Sequence, residues 1–333
     1  MKNLINFVTV FMVITLFMAA TGLTQENQKL AQTGMQFLSV ESDARAAAIA
    51  GAVTSLELQS GSLFFNPAGM ANSRGFVDIS ISQNQWIADI NYNTFSMSVN
   101  PAKGQYGVFG LSVQSVDYGD VLGTIVADNP EGYVDTQVFN PSALAVGVGY
   151  ARALSDRFSV GGQVKWVRQS LAESFIPVTD TTKTSIENEL TPLAFDFGTL
   201  FRTGFKSLAF GMSVRNFSRE IKYEEEGFQL PLVFTMGISM DLFDLWTPGG
   251  PEQRLYLSVD ATHYRSHPEQ LLIGLDYNIM DFLSLRGGYV SGNDENDFVF
   301  GVGLSRFGFV IDYSYTPFGV FDNVKRITAR FSI

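Results

Sequence analysis

From Phe76 to the last residue, apolar and polar positions alternate with a period of two, as expected when successive side chains point to opposite faces of strands. Fourteen segments carry the pattern. They are Phe76–Ser82, Trp86–Val99, Tyr106–Val116, Ser142–Ala153, Phe158–Leu171, Thr191–Phe201, Leu208–Phe217, Leu232–Met240, Leu255–Thr262, Gln270–Ile279, Leu283–Val290, Phe298–Ser305, Gly308–Thr316 and Val324–Ile333. Many approach the roughly 9–11 residues that a tilted strand needs to cross a bilayer. The faces are clearest late in the chain. Ile327, Ala329, Phe331 and Ile333 share one face of the last segment, and Thr328, Arg330 and Ser332 the other. Phe309, Ile311, Tyr313 and Tyr315 likewise oppose Val310, Asp312 and Ser314. Earlier, Val160, Gly162, Val164 and Trp166 oppose Ser159, Gly161, Gln163 and Lys165.

Before Phe76 the period differs. Ala46, Ala47, Ile49, Ala50, Val53 and Leu56 form a short helical stripe, and Ser60–Ala71 leads from it into the first strand through an Asn66-Pro67 turn. Met1–Ala20 reads as a secretory signal peptide. Lys2 precedes an apolar run from Leu4 to Met18, and small residues follow, placing cleavage near Ala20. The division is therefore a signal peptide over 1–20, an N-terminal segment and hatch over 21–74 and a strand-built body over 75–333.

Periodicity alone leaves open which face points outward. A soluble barrel or sandwich is apolar inside, and a membrane barrel is apolar outside. Composition favours the membrane. Charged residues are 17% of the 333, against roughly 25% in soluble domains, and aromatics reach 13% with 29 Phe. The expected fold is an all-β, 14-stranded transmembrane outer-membrane β-barrel with a small N-terminal hatch or plug. Its partners are the outer-membrane lipid and, by the net charge of −11, not nucleic acid. Tight connections (Leu154–Arg157, Thr203–Ser207, Met280–Phe282, Arg306-Phe307) are expected at the periplasmic end. Longer ones (Asp117–Pro141, Ala172–Leu190, Ser218–Pro231, Asp241–Arg254, Ser291–Asp297, Pro317–Asn323) are expected outside.

Candidate chemistry is sparse. Cysteine is absent, so no disulfide, thiolate metal site or cysteine nucleophile exists, and no lipoprotein anchor follows the leader. The two histidines, His263 and His267, flank a Tyr264-Arg265-Ser266 turn. No Gly-x-Ser-x-Gly elbow is present. Asp117, Asp120, Asp128, Glu131 and Asp135 share one loop without EF-hand spacing and read as solvated, as do Glu224–Glu226 and Asp294, Glu295 and Asp297. No enzyme activity, cofactor or metal is implied. Lys165, Arg168, Asp196, Arg202, Asp260, Asp276, Arg286, Asp312 and Arg330 are expected to face inward, where charge must be paired or hydrated. Asp312 and Arg330 stand on adjacent strands, within reach of an interior ion pair.

Thr33–Leu38, Asp43–Ala52 and Phe65-Asn66-Pro67-Ala68-Gly69-Met70-Ala71 together resemble the PorV/PorQ family of outer-membrane proteins. That family is similar in turn to the long-chain fatty acid transporters and their Asn-Pro-Ala hatch motif. The resemblance implies a location in the cell outer membrane and maps the hatch motif onto Asn66, Pro67, Ala68 and Gly69. It also implies a part in type IX secretion, binding the C-terminal domains of cargo proteins and delivering them to the surface with other secretion components. Rim loops such as Asp117–Pro141 would make the contact. The relationship to the transporters implies the alternative, a channel for a hydrophobic, fatty-acid-like small molecule.

Overall fold

In the computed structural model, residues 33–73, 75–179, 182–222, 227–246, 253–292, 297–319 and 321–333 are described. The signal peptide expected over 1–20, Glu224–Glu226, Asp294 and Glu295 lie outside them.

Fourteen antiparallel strands form the wall. They are β1 (Val77–Gln85), β2 (Asn91–Val99), β3 (Val108–Asp117), β4 (Ser142–Ala153), β5 (Phe158–Thr179), β6 (Leu193–Arg202), β7 (Ala209–Phe217), β8 (Val233–Asp241), β9 (Gln253–Tyr264), β10 (Gln270–Ile279), β11 (Leu283–Val290), β12 (Phe298–Arg306), β13 (Phe309–Thr316) and β14 (Val324–Ser332). Each pairs with its neighbours in sequence, and β1 pairs with β14 from Asp78↔Ser332 to Gln85↔Lys325. The wall is therefore a closed barrel. Closure satisfies every ladder hydrogen bond internally, as a bilayer requires, and leaves no open edge.

The faces settle the sign that periodicity left open. On β14, Thr328 is fully buried and Ile327 is 49% exposed; on β13, Asp312 and Ser314 are buried and Ile311 is exposed. Polar groups point inward and apolar groups outward, the arrangement of a membrane barrel.

Four expectations need correction. Ala172–Leu190 is not a loop: β5 runs on to Thr179 and pairs with a strand at Thr182–Leu190, making a ribbon that continues past the wall. Asp117–Pro141 contains a hairpin of its own, Val121–Val126 with Tyr133–Phe139. Asp241–Arg254 lies at the end that carries the tight turns, not at the loop end, and holds a short helix at Phe243–Trp246. The helical stripe is one short helix, α1 (Ala44–Ala48), capped by Asp43, whose carboxylate accepts from Ala46 N. It stops because Ala50 and Gly51 both take positive φ, 57° and 72°, a conformation no helix continues through.

Residues 33–73 run through the lumen. Gly34 N donates to Gln229 O at the loop end, and Ser73 O accepts from Asn100 at the turn end. Between these points the segment touches all fourteen strands. Apolar side chains seat it at several heights. Met35, Phe37 and Leu38 pack with Val116, Val167 and Leu230; Ala50 and Ala52 with Leu272, Val290 and Val299; Leu63 and Met70 with Val108 and Ala151. Its backbone also presses on inward glycines. A Cβ on Gly161 would stand 2.6 Å from Ala68 N, one on Gly274 2.7 Å from Ile49 O, and one on Gly288 2.6 Å from the Ile49 carbonyl carbon. The glycine-rich inner face is thus a mould for a backbone that lies directly on it.

Gly274→Val places side-chain atoms where the Ile49 backbone lies. The expected result is a loss of about 1–3 kcal/mol and faster hydrogen exchange in residues 44–54. The strand amides stay protected and the heat-modifiable gel band of the folded barrel is retained.

Candidate functional site: the lumen and its loop-end mouth

A segment with one five-residue helix leaves most of its N–H and C=O groups without partners of its own. The wall supplies them. Thr328 Oγ1 accepts from Ala44 N at 2.8 Å, Asp260 Oδ2 from Thr54 N at 2.9 Å and Asp78 Oδ1 from Ser60 N at 3.0 Å. Donors reach the carbonyls. Gln114 donates to Phe37 O at 3.0 Å, Arg326 Nε to Glu41 O at 2.8 Å and Arg215 Nη1 to Phe64 O at 2.6 Å. Arg215 faces inward by alternation with Ala209, Gly211 and Ser213. The register shift between Val214 and Phe217, where Asn216 takes φ 60°, turns Asn216 to the lumen as well. Asn216 N donates to Asp196 and its side chain to Pro231 O, so the bulge is hydrogen-bonded rather than open.

The Asn-Pro-Ala-Gly residues lie near the turn end. Asn66 caps a 3-10 turn at Pro67–Met70 with Pro67 in the first turn, where its missing N–H costs nothing. Asn66 Oδ1 accepts from Ala68 N at 3.1 Å, and Nδ2 donates to Thr54 O at 2.7 Å and Thr199 O at 3.0 Å. Ala68 and Gly69 are buried, with Gly69 against Ser62. The amide thus ties three stretches together: its own turn, the segment near Thr54 and strand β6.

Asp312 and Arg330 approach to 3.9 Å, beyond hydrogen-bonding range. The shorter contacts belong to Arg286, whose Nη1 lies 2.6 Å from Asp312 Oδ1 and whose Nε lies 3.1 Å from Asp276 Oδ1. Asp276 also holds Arg45 of α1 at 3.2 Å. Arg45, Asp276, Arg286, Asp312 and Arg330 form one ladder of alternating charge. Arg286 crosses β12 to reach β13 because Gly303 puts no side chain in its way; a Cβ there would stand 2.7 Å from Arg286 Nη1. The sequence pointed to the outer pair and missed the central arginine, although the glycines opposite it are visible in the chain. Of the other expected inward charges, Lys165 pairs with Asp196 at 2.8 Å and Arg202 with Glu57. Arg168 is a correction: it sits exposed beside Glu189, because alternation puts it on the outward face of β5 with Val164 and Trp166, opposite Gln163, Lys165 and Val167.

At the loop end a cavity of about 590 Å³ opens between the strand ends and residues 33–50. Leu272, Val290, Val299, Phe318 and Trp86 line one part of it, and Gln36, Ser39, Glu41, His267 and Arg326 another. Burial pushes the Glu41 carboxyl above the ordinary carboxylate range, against the opposing pull of Arg326 and Arg215. His267 Nδ1 contacts Ser266 Oγ at 2.8 Å, and His263 meets Glu269 at 3.1 Å on the exposed rim. Among the described residues no group of three or more His, Asp or Glu side chains is placed to hold a metal.

With this geometry in place, comparisons identify the lineage. A family model described as type IX secretion system protein PorV matches residues 23–245. The chain belongs to the PorV family. No curated protein sequence matches it. Solved structures share its fold at low identity. The CymD monoaromatic hydrocarbon channel is 11% identical with TM-score 0.60, over 88% of this chain and 98% of that one. The Ralstonia pickettii toluene transporter TbuX is 11% identical with TM-score 0.59, over 87% and 98%. A Pseudomonas aeruginosa FadL homologue is 12% identical with TM-score 0.51, over 88% and 99%. The chain is an outer-membrane barrel of the type IX secretion family, built on the architecture of these transport channels.

Two substitutions test the lumen. Asn66→Ala leaves Thr54 O and Thr199 O without their donor. A local loss of about 1–3 kcal/mol is expected, read as faster exchange at Ala68 and neighbouring amides with strands β10–β13 unchanged. Arg286→Met leaves buried Asp312 with only the 3.9 Å approach of Arg330, while Asp276 keeps Arg45, and should cost about 3–5 kcal/mol in a urea unfolding series. The double change Arg286→Met with Asp312→Leu is expected to recover part of that loss, because it removes the stranded carboxylate but leaves Arg330 without an acid.

Proposed function

We propose that this PorV-family barrel receives the C-terminal domain of a secreted protein at its loop end, with residues 21–74 acting as a plug and the Asn66–Gly69 turn as its anchor. The observation that carries the reading is the Val121–Val126/Tyr133–Phe139 hairpin. Its two strands pair only with each other among the described residues, so each has an open edge. Val126 is 94% exposed, and Leu122, Tyr133, Val134 and Val138 are exposed beside it. An apolar ribbon with open edges is suited to strand addition by a β-rich partner. Asp117, Asp120, Asp128, Glu131 and Asp135 accompany it without a single Lys or Arg between Asp117 and Pro141, which keeps the ribbon soluble and favours a basic partner surface.

The alternative is passage of a hydrophobic compound, and the fold shared with the toluene transporter and the hydrocarbon channel supports it. Against it, the hydrogen-bonded wall is continuous around fourteen strands, its bulge is filled by Asn216, and the lumen is crossed by a segment in contact with every strand. The secretion reading needs none of these to move. It is also a non-enzymatic reading: the Ser266–His267 contact has no carboxylate on the ring among the described residues.

The test is affinity capture from native outer membranes in detergent. A β-sandwich C-terminal domain is expected to co-purify. Replacing residues 121–139 by a short Gly-Ser turn is expected to cut its recovery about tenfold or more while the barrel stays folded. Native complexes that never contain such a domain would sink the reading.

A further inference from the structure

Arg326 projects from β14 into the wall of the loop-end cavity and is 5% exposed. Its hydrogen bonds go to neutral acceptors: Nε to Glu41 O at 2.8 Å and Nη1 to Thr316 Oγ1 at 2.9 Å. The ring of Trp86 lies 5.5 Å from its guanidinium carbon. Among the described residues no carboxylate comes within 4.0 Å of it; Arg215 shares that state, whereas Arg45, Arg202, Arg286 and Arg330 each have an acid within that distance. The acid that acts on it is the Glu41 carboxyl of the same lining, which burial pushes above the ordinary carboxylate range; a buried guanidinium with no carboxylate bonded to it favours an anion. A second group lies beside it: Ser39 is half-buried in the lining of the same cavity, and its Oγ has no hydrogen-bond partner.

The remaining lining describes what is attached to the anion. Leu272, Val290, Val299 and Phe318 form an apolar patch, while Thr33, Gln36, Ser266 and Gln270 offer amide and hydroxyl groups beside it. An alkyl chain would leave those polar groups without partners. An extended peptide uses both kinds of surface, side chains on the patch and backbone on the polar groups. The cavity opens at the loop end, and its volume lies within the roughly 300–1,000 Å³ of ligand pockets, room for a chain end rather than a domain.

We infer that this cavity captures the C-terminal carboxylate of a partner polypeptide, with Arg326 and Ser39 binding the carboxylate and Leu272, Val290 and Val299 receiving apolar side chains of the last residues. The inference rests on the secretion reading and names the part of the partner that enters the barrel.

Calorimetry on the detergent-solubilised full chain tests it. The probes are the acetylated tetrapeptide Gly-Val-Val-Leu with a free carboxylate, the same peptide as its C-terminal amide, and octanoate. The free acid is expected to bind about tenfold or more tightly than the amide, the effect of a charge-assisted bond. Arg326→Met should erase the preference. Because Arg326 also holds Glu41 and Thr316, Ser39→Ala and Val299→Trp serve as independent variants: the first should weaken the acid several-fold, and the second should block both peptides. Equal binding of acid and amide by the unaltered chain overturns the inference, as does octanoate binding as tightly as the peptide acid. A captured β-sandwich domain whose recovery is unchanged after removal of its last residues would overturn the pocket and leave the secretion reading standing. Tetrapeptide binding with the expected preference, but no domain ever captured, would do the reverse.

Discussion

Backbone amides and carbonyls in the wall and the lumen have to find partners away from bulk water, and the structure meets that demand in two ways. In the wall the strands satisfy each other, all the way round through the β1–β14 seam. In the lumen an irregular segment cannot satisfy itself, so wall side chains do it: Thr328, Asp260 and Asp78 accept, and Gln114, Arg326 and Arg215 donate. This explains why the inner face is polar although little of it is wetted. Its hydroxyls, amides and charges serve in place of a helix or a sheet.

The same demand orders the charges. An isolated inward Asp or Arg would be costly. Asp276 and Asp312 are therefore shared by three arginines, one of them from α1. The ladder joins the segment to β10, β11, β13 and β14 in one electrostatic unit. Arg326 and Arg215 stand outside that ladder: each spends its charge on a carbonyl of the segment instead of on a bonded acid.

Much of this was legible in the chain. All fourteen wall strands were visible as period-two runs, because one lipid face and one lumen face impose strict alternation. Ser142–Ala153, Gln270–Ile279 and Leu283–Val290 kept their bounds to the residue. The pattern faded where that constraint ends. Beyond Leu171, β5 continues as a ribbon paired with Thr182–Leu190, and Pro177 reads in the sequence as a turn although it lies within a strand. Arg168 was placed inward although alternation puts it on the face of Val164 and Trp166. The Ala-rich stripe promised a longer helix than the Ala50–Gly51 reversal allows, and periodicity cannot foresee a φ of 57° on an alanine. The central place of Arg286 depends on which strands neighbour it in space, and only the barrel supplies that. The loop-end cavity was invisible for a related reason: its walls come from several strand ends and from the segment.

The segment also bridges the seam. It touches both sides of it. Ser60 donates to Asp78 of β1, Ala44 to Thr328 of β14, and Ser332 of β14 bonds Asp78 directly. A segment that lies against every strand and against both banks of the join is a brace across it. The weakest line of a closed sheet, where its two ends meet, is thus held from within as well as by its own ladder, and seam and contents loosen together or not at all.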